Sequence, residues 1–168
     1  MTRSLLPLDL DDLRRLGRLA AQDRADLFRR RPETGALYRD RLFAVALCQG
    51  GALHFVDGKN GIKDLDVWSF YTQSPARAFP PRRVGKADFG DPKFGITPGS
   101  PGFVGRRVDL IGRSIPGADP REPIATLQSY LRSARTESAR LLALKAVVMI
   151  EPEHLLGAIA WCAQPRKV

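Results

Sequence analysis

What this chain is short of narrows its chemistry first. It has two cysteines and two histidines in 168 residues. Cys48 and Cys162 lie far apart in apolar surroundings. Two are too few for a disulfide framework, and no zinc-ligand spacing surrounds them, so both are expected as buried, inert thiols. His54 and His154 have no partners at metal-ligand or triad spacing, and His54 reads as a satisfied or surface histidine. No apolar run approaches the roughly 20 residues that span a bilayer. The longest candidate, 141–150, is interrupted by Lys145 and stops at Glu151-Pro152. Arg3 is followed by Asp9, Asp11 and Asp12 rather than by the apolar core of a signal peptide, so a cytoplasmic protein with no membrane association is expected. Internal repeats and low-complexity segments are absent too.

Acidic side chains are in deficit: 18 Asp and Glu stand against 27 Lys and Arg, a net charge of +9. A basic protein attracts polyanions, of which nucleotides, RNA and DNA are the common intracellular ones. The surplus is dispersed along the chain, however, so charge by itself barely favours such a ligand. Length and a hydrophobic content of 43% predict one domain over 1–168 with a continuous core.

The hydrophobic pattern divides that domain into three. Over 1–41 it is helical. Leu10, Leu13, Leu16, Leu19 and Ala20 recur at three- and four-residue steps within 9–31, behind Asp11 and Asp12 at the end that favours negative charge. A restart is expected near Asp23 and a short helix over 34–41. Residues 42–115 change character. The apolar run 42–49 ends at Gly50-Gly51 and suggests a buried strand, although periodicity by itself leaves a helix open. Residues 52–56 fit one or two helical turns, 57–61 a turn, and 62–71 and 106–115 two further strands. Between those strands, 74–105 holds six prolines and six glycines, so regular structure is not expected there. A connection of that length points to a functional or a disordered segment. Over 117–168 the pattern predicts helices at 123–132, at 136–150 with Thr136 or Ser138 as cap, and at 153–162 behind Pro152. The fold class is α/β (α+β): a small mixed sheet flanked by N-terminal and C-terminal helices.

The residues that carry chemistry are Gln49-Gly50-Gly51, then twelve further residues, then Asp64-Leu65-Asp66-Val67. On a strand Asp64 and Asp66 share a face, roughly 6.6 Å apart along the backbone. That spacing suits two carboxylates bracketing divalent cations about 3.5–4 Å apart. Hard cations such as Mg²⁺ take oxygen ligands and complete their shell with water and substrate phosphates. Val108-Asp109-Leu110 places a third acid between apolar residues on the next predicted strand. If the two strands are neighbours, Asp109 projects over the same face, as a metal ligand or as the base for an attacking hydroxyl. Gly50-Gly51 would let backbone amides approach a phosphate, since glycine has no Cβ in the way. Lys59, Lys63 and Arg107 are candidate phosphate contacts beside the acids, and Trp68, on the acids' face, reads as a core or rim aromatic.

This order of residues resembles the DNA polymerase beta-like nucleotidyltransferase superfamily. Its signature is an apolar residue with Gly-Gly or Gly-Ser, about a dozen residues, Asp-x-Asp, and a later acid between hydrophobic residues. The resemblance covers roughly residues 42–112. It implies a two-metal Mg²⁺ site with Asp64, Asp66 and Asp109 as ligands and catalytic residues. It also implies a nucleoside triphosphate cradled by Gly50 and Gly51, and transfer of its nucleotidyl group to a hydroxyl on RNA or a small molecule. Gln49 departs from the signature as a polar residue before the glycines, Gly51 replaces the commoner serine, and the gap from Asp66 to Asp109 is long. The alternative expectation is a catalytically inactive module of the same fold that binds nucleic acid or a protein partner.

Other motifs fail on inspection. Gly58-Lys59 is followed by Asn60, and Leu53 stands where a Walker A loop needs its first glycine. Asp88-Phe89-Gly90 matches a kinase triplet without the remaining kinase signatures, so Asp88, Asp91 and Lys93 read as polar loop residues.

Overall fold

The computed structural model describes residues 3–80 and 83–163. Two helices, α1 (Leu10–Arg30) and α2 (Pro32–Tyr38), lead into strand β1 (Leu42–Cys48), helix α3 (Gln49–Asp57) and strand β2 (Leu65–Thr72). Strands β3 (Val84–Asp88) and β4 (Arg107–Ile115) follow, then helices α4 (Pro123–Ser133) and α5 (Glu137–Leu142), and finally strands β5 (Ala146–Glu151) and β6 (Ile159–Cys162). The six strands form one sheet in the order β3-β4-β2-β1-β5-β6. Only β2 and β4 pair in parallel; the other neighbours are antiparallel. The expected α/β (α+β) class with a mixed sheet is what the chain adopts. Among the described residues no helix is long and apolar enough to cross a membrane.

Helices cover both faces of the sheet. On one, Leu13, Leu16 and Ala20 of α1 and Ala52 of α3 pack on Val45, Leu47, Val67 and Val148. On the other, Leu127 and Leu131 of α4 and Leu142 of α5 pack on Ala46, Phe70, Val147 and Met149. A third cluster closes one end, where the Tyr38 and Tyr71 rings meet edge-on at 5.6 Å and Tyr71 stacks on Phe79 at 4.6 Å. Burial of this kind is worth about 1.5–3 kcal/mol for each fully enclosed large apolar side chain.

Five expectations are corrected. Helix α1 runs without a restart at Asp23; it is started by a reciprocal capping box between Asp9 and Asp12, and Asp23 bonds to Arg83 across the molecule. Residues 74–105 contain β3, which pairs with β4, and a 3₁₀ turn at Pro92–Phe94, with side chains supplying hydrogen bonds to the loop around it. The Asp88 carboxylate accepts from the backbone N–H groups of Gly90, Val104 and Gly105. The predicted helix 136–150 is a short helix capped by Thr136 and then β5. Strand β5 is buried on both faces, so its apolar run lacks the period-two signal that distinguishes a strand from a helix. Leu141 and Leu144, ahead of the strand, are 47% and 66% exposed. The predicted helix 153–162 is a single 3₁₀ turn, Glu153–Leu155, followed by β6. Cys48 is buried as expected, with its thiol pushed well up by burial, while Cys162 at the end of edge strand β6 is exposed.

Candidate functional site

A cleft of about 370 Å³ opens at the end of the sheet where β1 passes into α3. Gln49 and Gly50 line it from that junction, Lys63, Asp64 and Asp66 from the segment entering β2, and Lys145 from the residue before β5. The junction is sharp. Gln49 has φ 62°, a left-handed conformation that costs a non-glycine residue about 1–2 kcal/mol. Helix α3, whose first residues Gln49 and Gly50 line the cleft, has no side-chain cap at its start. Gly50 is tightly placed there: a Cβ on it would lie 3.0 Å from Asn60 Nδ2, which donates to Gly50 O at 3.1 Å, so that amide would have to shift. Gly51 serves packing instead. It is buried, and a Cβ would meet Leu65 Cδ2 at 3.1 Å and Leu47 Cδ1 at 3.3 Å.

The acids are delivered by a braced arm. His54 is 1% exposed and inward-facing on α3. Gly61 N–H donates to its Nδ1 at 2.9 Å, so its partners assign the proton to Nε2, which meets Leu6 O at 2.9 Å. The ring therefore ties the turn before Asp64 to the N-terminal strap, where Ser4 and Ile62 form a β-bridge. From the other side, Thr97 Oγ1 and Arg106 Nη1 both donate to Lys63 O, at 3.0 and 3.1 Å. The Pro/Gly-rich segment thus acts as a brace for residue 63.

Within the cleft, Asp64 Oδ1 is buried without a hydrogen-bond partner. The parallel pairing of β2 with β4 sets Asp66 directly beside Asp109. Burial, then the neighbouring Asp109 and Asp64 carboxylates, push the Asp66 carboxyl up to about 6, against the opposing pull of Arg107 and Lys145. Asp109 itself is engaged by Arg107, whose Nε donates to its Oδ1 at 2.8 Å, and it is not part of the cleft lining. That bond comes first among the causes that hold the Arg107 guanidinium above its ordinary range. Trp68 lines the cleft two residues beyond Asp66, 7% exposed, stacked on Phe70 at 6.0 Å, with its indole Nε1 unpartnered.

Gly50, Lys63, Asp64 and Asp66 are therefore brought together. Asp109 is adjacent but bonded to Arg107, Gly51 lies in the core, and Lys59 is exposed on the turn outside the cleft lining. Sequence reasoning missed Asn60, Arg3 and Lys145. Lys145 left one trace, as the only charge within the apolar run 141–150.

Among the described residues no group of three or more His, Cys, Asp or Glu side chains is arranged to hold a metal. Two carboxylates facing one cleft, one of them with an orphaned oxygen, still suit a hard cation that takes its other ligands from phosphate and water. Comparison with family models, with curated proteins and with solved structures finds no match to this chain.

Proposed function

We propose that the cleft is the site of a Mg²⁺-dependent nucleotidyltransferase, which moves a nucleotidyl group from a nucleoside triphosphate to a hydroxyl acceptor. The observation that carries this reading is the convergence of Asp64 and Asp66 on a cleft that also holds the uncapped glycine start of α3. Asp64 and Asp66 would hold the cation, which when bound neutralises phosphate charge and favours loss of pyrophosphate. Gly50 would admit the phosphates to the N–H groups of α3, where the helix dipole favours an anion. Lys63 would add charge at the rim. In the transfer, the acceptor oxygen bonds to the α-phosphorus as the bond from that phosphorus to its bridging oxygen breaks. Asp109, one strand away from Asp66, is the group that could take the acceptor's proton, with Arg107 fixing its orientation.

Calorimetric titration with a non-hydrolysable ATP analogue and Mg²⁺ tests this. Metal-dependent binding by the wild type that disappears in Asp64→Asn/Asp66→Asn is expected. Binding that persists in the double variant would remove the acids from the site.

A second reading has its own observation. Arg107 occupies Asp109, and the described residues form no three-acid ligand set. That arrangement favours a catalytically inactive module binding nucleic acid or a protein partner. Such a protein should bind RNA or DNA with steep salt dependence and no magnesium requirement.

A further inference from the structure

Lys145 enters the cleft only because β5 pairs with β1, setting Val147 opposite Cys48 and residue 145 level with the start of α3. Its Nζ lies 3.7 Å from the point a Cβ on Gly50 would occupy. The side chain is half-buried, and its ammonium makes no hydrogen bond or ion pair with the described residues. Asp66 feels its charge but lies outside ion-pair distance. A cation is thus held beside the positive end of a helix that has no side-chain cap, and both favour an anion placed between them. Lys63 lines the same cleft, while Arg3 is committed to Asn60 O at 3.2 Å. The unpartnered Nε1 of Trp68, a residue 7% exposed in the cleft lining, is a further donor awaiting an acceptor.

We infer that Lys145 is the principal phosphate-binding side chain of this cleft, clamping the polyphosphate of the ligand against Gly50 at the start of α3. The inference rests on the nucleotide reading above and specifies which end of the cleft takes the charged end of the ligand. Polyphosphate sits between Lys145 and Gly50, and the remainder of the molecule extends along β2 towards the apolar wall of Trp68, Ile111 and Leu141.

The test is calorimetry with inorganic tripolyphosphate and, separately, the non-hydrolysable ATP analogue, each with Mg²⁺. Wild type, Lys145→Met, Lys145→Gln and Lys145→Arg are compared, with melting curves as a folding control. Removing a charge-assisted contact should weaken tripolyphosphate binding about tenfold to a hundredfold in the Met and Gln variants, with Lys145→Arg restoring most of it and melting unchanged. The neutral variants should also show a shallower dependence of binding on salt. Wild-type affinity in folded Lys145→Met and Lys145→Gln overturns the assignment and leaves the nucleotide reading intact. A wild-type protein that binds neither probe overturns the nucleotide reading and this inference with it.

Discussion

Replacing Asp66 with Asn should make the metal-free protein more stable at neutral pH, at the cost of its ligand. Burial and the adjacent Asp109 and Asp64 raise the Asp66 carboxyl from 3.8 to about 6 in the folded chain. The folded state therefore binds this proton more tightly than the unfolded one. The stability it contributes is fully present below about pH 4 and is lost as pH rises through 6. A shift of about two units at 1.36 kcal/mol each amounts to roughly 3 kcal/mol, the cost of ionising the group in place. Asn imitates the neutral acid without a proton to lose. Urea denaturation with chelator present should show Asp66→Asn ahead of wild type by about 2–3 kcal/mol at pH 8, with the gap closing towards pH 4. At roughly 2–4 °C per kcal/mol for a chain of this size, melting would rise about 5–10 °C. Added Mg²⁺ should stabilise the wild type and leave the variant unmoved, narrowing the gap again. A variant less stable than wild type at pH 8, or a gap indifferent to pH, would refute the electrostatic account of the cleft.

His54→Ala should cost about 2–4 kcal/mol, because it opens a cavity and strands both the Gly61 N–H and the Leu6 carbonyl. A loss under about 1 kcal/mol by urea denaturation would show that the ring does not brace the arm. Gly112→Ala would drive a Cβ to 2.5 Å from Phe79 Cε1 and should cost about 1–3 kcal/mol; an unchanged melting curve counts against the packing described. In thiol labelling, Cys162 should react in the folded protein and Cys48 only after denaturation. Rapid modification of both would contradict the burial of β1.

Much of the fold was legible where the signal is local. The three- and four-residue leucine spacing of α1, the glycines after β1 and the strand character before Asp109 all mark elements that form. The pair Asp64 and Asp66 could be singled out by its spacing, but β2 begins at Leu65, so Asp64 reaches the cleft from the segment before the strand rather than from a shared strand face. Strand β5 carries no helix-or-strand signal of its own, since an apolar run covered on both faces has no periodicity, and edge strand β6 is too short to show one; their neighbours decide both conformations. The Pro/Gly-rich segment looked unstructured because its order comes from Asp88, Thr97 and Arg106 bonding to distant backbone. Parallel pairing of β2 with β4 set Asp109 beside Asp66, yet an arginine two residues away on its own strand claimed it. Lys145 reached the cleft across almost a hundred residues of chain, through a strand pairing that local pattern does not encode. The sequence by itself determined which residues could do chemistry; the tertiary structure decided which of them meet, because charge and hydrogen bonding act over a few ångströms of space whatever the separation along the chain.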